Sequence, residues 1–230
     1  MGISKNITKK IANYNSENSI AFKFRKKRSE RIKTIISEIF NEFGEVKIID
    51  IGGTKTYWKI IPHEFLKEKN VHITLINLPD SVDKSESDEM FTYQDGDGCN
   101  LVNYETNSFH LSHSNSVIEH VGSWENKILF AKESQRVAKK HYLQTPNFWF
   151  PIEPHFMSPF FHWLPDSVRV AILMRFNLGW YKKAKNKEEA QSYIDYAALL
   201  TAKEIKQLFP NSKLTFEKLF VFKKSLIVFN

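Results

Sequence analysis

The run Val46-Lys-Ile-Ile-Asp-Ile51 has apolar, mostly β-branched side chains at odd and even positions alike, and it stops at Gly52-Gly53. A strand with one wet face would alternate. This one predicts a strand covered on both sides, as in a parallel sheet. The paired glycines let the backbone turn sharply and approach closely whatever lies beyond the strand end.

The neighbouring segments repeat the theme. Upstream, Ile32, Ile35, Ile36, Ile39, Phe40 and Phe43 form a helical stripe from about Ser29, closed by Gly44, where a helix end turns left-handed. Downstream, Thr54 to Glu68 suits a helix whose regularity Pro62 limits. Val71 to Ile76 reads as a second strand with Asn77-Leu-Pro-Asp80 as its turn, followed by a polar, exposed stretch over Ser81 to Glu89. Met90 to Tyr93, Phe109 to His113 and His141 to Gln144 read as strands three to five. A helix marked by Trp124, Ile128 and Ala131 reaches to about Lys139 between the last two. Alternating strands and helices predict an α/β fold with a parallel sheet and right-handed crossovers. In such sheets ligands sit beyond the carboxyl ends of the strands. Here those ends follow Ile51, Ile76, Tyr93 and His113, and each is followed by small or polar residues.

The alternation breaks after Asn147. Residues 148–200 are rich in Phe, Trp, Pro, His and Met, too long for an ordinary connection, and are expected to form a cap-like insertion, a second core cluster, or both. Within them Val168, Ile172 and Phe176 mark a helix ending near Gly179. Thr201-Ala-Lys-Glu204 is a capping box opening a helix that stops at Pro210. Leu214 to Val221 and Ser225 to Phe229 should then pair as an antiparallel hairpin.

At 230 residues the chain has room for one sizeable core, and residues 1–230 are read as a single domain. Its one cysteine, Cys99, excludes an intrachain disulfide, and the polar, basic start lacks the apolar core of a secretory signal. With no run of membrane-spanning length, a cytoplasmic protein is expected. The formal charge of +7 is partly gathered in Lys23 to Arg28, within a loose basic arm expected over residues 1–28. That run is either a solvated flank or a phosphate-contacting patch.

Four clusters at strand ends could carry chemistry. Asp50-Ile-Gly-Gly-Thr54 has glycines for close backbone approach, with Gly52, Gly53 and Thr54 leading into a helix. Asn77-Leu78 follows strand two, where a ribose-recognising side chain is expected; the residue also suits a simple turn. Gly96-Asp97-Gly98 sets a carboxylate between glycines, as an acceptor for an exocyclic amine or as an Asp-Gly turn. Ser114-Asn115-Ser116 ends strand four, just before Glu119-His120.

Taken together these resemble the class I S-adenosylmethionine-dependent methyltransferases over roughly residues 30–230. Asp50-Ile-Gly-Gly is similar to their first motif, Gly96-Asp97-Gly98 to the adenine-contacting one, and Ser114-Asn-Ser-Val-Ile-Glu-His-Val121 to the strand-four motif. Gln144-Thr-Pro-Asn147 and Phe150-Pro-Ile-Glu-Pro-His155 resemble a bacterial subgroup, which also shows an Asn-Leu matching Asn77-Leu78. The resemblance implies a Rossmann-like, seven-stranded, mostly parallel sheet of order 3-2-1-4-5-7-6, the last strand antiparallel, with helices on both faces. It implies S-adenosylmethionine as cofactor, held by Asp50, Gly52, Gly53, Thr54, Asn77, Leu78, Asp97, Gly98, Ser114 and Asn115. The sequence departs from the family at Thr54 and Thr56, where glycines are usual, and at Asn77 and His110, where acids are. It departs again at Lys139-Lys140, where a glycine turn is common.

Methyl transfer needs an acceptor placed in line with the leaving sulfur and shielded from water. A hydroxyl acceptor is helped by a base, and His120 and His155 are the candidates. Glu119, His120, Glu153 and His155 also have the chemistry of a divalent-metal site, although no metal is required by the reading. The leading expectation is O-methylation of a small molecule or sugar. RNA methylation using the basic arm, and a catalytically silent binding protein, are the alternatives; oligomeric state is not encoded legibly.

Overall fold

The computed structural model describes residues 20–79, 81 and 87–230. Residues 1–19 of the expected arm and most of the polar stretch after Asp80 lie outside them. Helix α1 runs Ile20–Phe43 and strand β1 Val46–Ile51. Short helices α2, Lys55–Trp58, and α3, His63–Glu68, follow; they divide at Pro62, as that residue's missing N–H requires. Then come β2 Val71–Asn77, β3 Phe91–Asp95, β4 Phe109–Asn115, a 3-10 turn Ile118–His120, α4 Trp124–Arg136 and β5 Ala138–Pro146. The rest is a two-residue pair of strands, β6 Ile152–Glu153 and β7 Ser158–Pro159, a 3-10 turn Phe161–Trp163, α5 Asp166–Leu173, α6 Lys187–Tyr196, α7 Ala202–Leu208, β8 Lys213–Leu219 and β9 Phe222–Phe229.

Seven strands form one sheet of order β3-β2-β1-β4-β5-β9-β8, mostly parallel with an antiparallel end. This is the Rossmann-like sheet that the sequence led one to expect, the small β6–β7 pair aside. Register fixes the working edge: Ile51 lies beside Ile76, Asn77 beside Asp95, and Asp50 beside His113. The strands are therefore flush at their carboxyl ends, and the polar loops leave from one edge.

Two compact units share the chain. The first comprises residues up to Asn115, with Leu129–Leu143 and Phe229–Asn230. Its core is the β-branched content of β1 and β2 with the α1 stripe: Ile32, Ile36, Ile39, Ile48 and Ile49 are essentially inaccessible to solvent. The second comprises Ser116–Ile128 and Gln144–Val228. There Phe156, Phe161, Leu173, Ala190 and Ile194 form a separate apolar cluster, so the aromatic-rich segment builds a core of its own.

Several expectations change. Residues 20–28 are helix, not loose arm, and the basic run makes its first turns. Arg28 is buried, with Nη1 donating to Asn115 Oδ1 at 2.6 Å. Helix α4 stops at Arg136, and β5 begins three residues earlier than read and ends two later. Of the predicted stripe only Ile172 packs on the cluster, with Val170 and the fully buried Leu173; Val168 is exposed, and Phe176, also exposed, lies beyond the end of α5. Helix α6 was not legible as apolar periodicity; its opening signal is local, with Asn186 accepting from the Glu189 N–H at 2.8 Å.

Candidate functional site

In the first unit the strand-end loops are stitched to one another. Gly52 turns the chain out of β1 with φ +74, a conformation costly for any residue with a side chain. Its N–H donates to the Ile76 carbonyl at 2.7 Å. Asn77 Nδ2 donates to the Gly53 carbonyl at 2.9 Å, Ser114 Oγ donates to the Ile51 carbonyl at 2.9 Å, and the Gly96 N–H donates to the Asn77 carbonyl at 2.8 Å. The first, second and fourth predicted clusters thus meet through side chain-to-backbone bonds, and the third joins β2 through its backbone.

Asp50 itself faces inward. Its carboxylate is fully buried, with Oδ2 accepting from the Trp58 indole at 2.7 Å and Oδ1 bonded to His113 Nδ1 at 2.7 Å. The imidazole is packed against Tyr57, Trp58 and Tyr142, with ring centroids 4.8, 5.1 and 6.0 Å away. The role legible here is to clamp the turn from beneath. Gly53 has no room for a side chain for this reason: a Cβ there would lie 1.8 Å from Asp50 Oδ2. Ser114 gives its hydroxyl proton to the Ile51 carbonyl, and half-buried Asn115 accepts from Arg28 through Oδ1. The Lys55 N–H at the start of α2 is taken by the Tyr93 hydroxyl at 3.0 Å.

What remains presented is Gly52, Thr54 and Asp97, all exposed, with half-buried Asn77 and a Leu78 that is 59% exposed. Asn77 has used its amide N–H on Gly53, so its oxygen is the acceptor left for a hydroxyl. Asp97 closes an Asx turn, Oδ1 accepting from the Cys99 N–H at 2.9 Å. Gly98 is set against Ile51 and Phe130, where a Cβ would come within 2.6 Å of Ile51. Burial, then the neighbouring Asp97 charge, pushes the Cys99 thiol up to about 11, which leaves it protonated and a poor nucleophile. An exposed acceptor amide beside exposed apolar surface, with a carboxylate on the next loop, matches the polar and flat parts of a nucleoside; the residues fit S-adenosylmethionine. The departures at His110 and Lys139-Lys140 fall at the amino ends of β4 and β5. There His110 accepts from the Lys47 N–H and stacks on Phe43, over which Lys139 also sits. They do not touch this edge.

The second unit holds the predicted histidines. Ser116 leaves β4 with φ +57, unusual for a non-glycine, and is pinned by its N–H to the Gln144 carbonyl at 2.8 Å and by its hydroxyl to Gln144 Oε1 at 3.1 Å. That kink delivers Glu119 and His120. Glu119 is fully buried: Oε2 accepts from the Thr145 hydroxyl at 2.9 Å, and Oε1 has no partner. Burial pushes its carboxyl up to about 7. His120 Nδ1 donates to the Tyr196 carbonyl at 2.7 Å, and its ring meets His155 edge-on at 4.8 Å between centroids. Burial holds His120 below the ordinary histidine value. His155 Nδ1 is 2.7 Å from Glu153 Oε1. Burial opposes its charge, but the bond to Glu153 and the charges of Glu153 and Glu119 outweigh this and hold it above the ordinary value. Gly179, read as a helix end, instead presses on the His155–Phe156 backbone with φ +55, and a Cβ there would lie 2.4 Å from the Phe156 carbonyl carbon.

Sequence reasoning missed Trp58, Thr145, Tyr196 and Arg28. Thr145 had a signal within Gln-Thr-Pro-Asn, and Arg28 ended the basic run though its partner could not be read; Trp58 and Tyr196 are defined by the fold.

No family profile matches the chain and no curated protein matches it in sequence. Among solved structures it is similar to the CurJ carbon methyltransferase, with a TM-score of 0.54 at 13% identity over 99% of this chain and 58% of that one. It is also similar to an O-methyltransferase family protein from Burkholderia thailandensis, with a TM-score of 0.50 at 9% identity over 89% and 56%. The chain thus spans less than two thirds of the length of either protein. The likeness is one of fold, shared with a carbon methyltransferase and with an O-methyltransferase family protein.

Proposed function

We propose that the chain is an S-adenosylmethionine-dependent methyltransferase that methylates an oxygen of a small molecule or sugar. The observation that carries this is the strand-end edge of the first unit, where Gly52-Gly53, Asn77 and Ser114 are tied together by hydrogen bonds while Asp97 and Leu78 stay presented. When bound, S-adenosylmethionine supplies an electrophilic methyl carbon on a sulfonium. The chain's own contribution is to hold the nucleoside: the Gly52-Gly53 backbone for its polar end, the Asn77 amide oxygen for a ribose hydroxyl, Leu78 for the flat base and Asp97 for the exocyclic amine. Thr54 and Asn77, unusual for the family, keep polar groups at those places, which supports retained binding.

The proton of the acceptor hydroxyl is assigned to the histidine pair. His155 is the stronger base of the two, since Glu153 steadies the charge it would acquire.

Isothermal titration with S-adenosylmethionine and its demethylated product tests the reading, followed by a screen of hydroxylated acceptors. Micromolar binding is expected, with Asp97→Ala weakening it by about 1–3 kcal/mol. Absence of binding at millimolar ligand overturns it; binding without turnover on any acceptor favours the silent module. Methyl transfer to RNA with a steep salt dependence would move the acceptor class to nucleic acid.

A further inference from the structure

Glu119, His120 and His155 each offer a ligand atom, and these atoms all lie within 4.8 Å of one another. Their hydrogen bonds decide which atoms remain to be used. A carbonyl can only accept, so His120 Nδ1 carries the proton it gives to Tyr196, and the lone pair is on Nε2. Glu153 is almost completely buried, with Oε2 fixed by the Phe156 N–H at 2.5 Å, and its Oε1 takes the Nδ1 proton of His155. His155 is therefore also left with its lone pair on Nε2. Glu119 spends Oε2 on Thr145 and keeps Oε1 buried and without a partner. Glu119 Oε1 is thus a buried acceptor with no donor, beside the lone pairs of two half-buried imidazoles, an arrangement that is unfavourable unless something positive sits among them.

We propose that these three residues bind a divalent first-row transition ion. Two neutral imidazoles and one carboxylate form a ligand set suited to Zn²⁺, Mn²⁺, Fe²⁺ or Co²⁺ and poorly suited to Ca²⁺ or Mg²⁺, which prefer all-oxygen shells. Both imidazoles already make the outer bond that metal-bound histidines make, one to a carboxylate and one to a backbone carbonyl. Three protein ligands leave coordination positions open, as in catalytic and not in closed structural sites. The ion would hold Nε2 of both rings, so it replaces their base role: a cation lowers the pKa of a hydroxyl placed against it, with the same chemical result. The site is independent of the methyl-transfer reading, and its test needs no S-adenosylmethionine.

The full chain, tag-free and stripped with chelator, is titrated with CoCl₂ and ZnCl₂ alone, reading heat and the visible absorption of Co²⁺. One equivalent is expected, with a Co²⁺ spectrum of low coordination number that Zn²⁺ bleaches. His155→Ala should weaken binding on the order of 100-fold and Glu153→Gln about 10–100-fold, as loss of the outer partner does. His63→Ala, an exposed histidine elsewhere, should leave it unchanged. Folding of each variant is checked by circular dichroism. Wild-type protein that is folded yet takes up no stoichiometric Co²⁺ or Zn²⁺ at 1 mM-scale concentrations overturns the proposal, whatever the variants do. So does binding that His63→Ala abolishes and folded His155→Ala retains. A chain that binds metal but not S-adenosylmethionine keeps this site and loses the function above; the converse outcome does the opposite.

Discussion

Replacing Gly53 by Ala should be one of the most damaging single-methyl additions in the chain, because the space a Cβ needs is already filled by a buried charge. The new atom would stand 1.8 Å from Asp50 Oδ2, 2.1 Å from its Cγ and 2.6 Å from Oδ1. That is roughly 1.5 Å or more short of an ordinary contact for the nearest atom. Gly53 has no left-handed φ, so the problem is space alone. The carboxylate cannot swing aside cheaply, since both oxygens are engaged, one by Trp58 and one by His113, and the group is inaccessible to water. Displacing it gives up two charge-assisted bonds of about 1.5–3 kcal/mol each, which falls in the range of about 3–5 kcal/mol for breaking a buried pair. Urea denaturation of wild type, Gly53→Ala, Asp50→Ala and the double variant measures this. Asp50→Ala alone should cost about 3–5 kcal/mol by stranding the two donors. With the carboxylate gone the methyl has room, so Gly53→Ala should then cost under about 1 kcal/mol and the cycle should show a coupling of about 3 kcal/mol. Additivity within about 0.5 kcal/mol would refute the steric argument.

Two further outcomes follow from the geometry. Burial lowers His141 to about 4, so the folded chain keeps it neutral while the unfolded chain takes up a proton below its ordinary value. Stability from this group is complete above about pH 6.5 and is lost as pH falls towards 4, by on the order of 3 kcal/mol; His141→Gln should flatten that part of a urea-midpoint-against-pH curve, and parallel curves would exclude the assignment. Arg28→Ala removes the charged donor to Asn115 and should cost about 1.5–3 kcal/mol, seen as a lower urea midpoint; a change under about 0.5 kcal/mol would mean the basic run is merely solvated.

How legible each part was follows from the range of the interaction behind it. Val46–Ile51, Val71–Ile76 and the capping box at Thr201 announce themselves through side chains a few residues apart, and all three lie where the pattern puts them, the second strand running one residue on to Asn77. The start of α1 was misjudged because Lys23 to Arg28 carries no apolar stripe. One buried arginine, bonded 87 positions away, ties it down instead. In α5 only Ile172 of the expected stripe meets the core, because the helix ends at Leu173 and periodicity does not name the neighbour that a face meets.

Strand, turn and cap preferences are local, so they set the alternation of strands and helices, the glycine turn after β1 and the polar residues at each strand end. What those residues touch is set by long-range contacts. Asp50, which from sequence could have faced a ligand, is turned under its own turn by a tryptophan eight residues on and a histidine in the neighbouring strand. Gly53 is glycine because of that carboxylate, and Glu119, His120 and His155 become one cluster only when Thr145, Tyr196 and Glu153 claim their other atoms. The physical reason is the same throughout: in a buried place each polar atom must be matched, and the partners that match it come from distant parts of the chain.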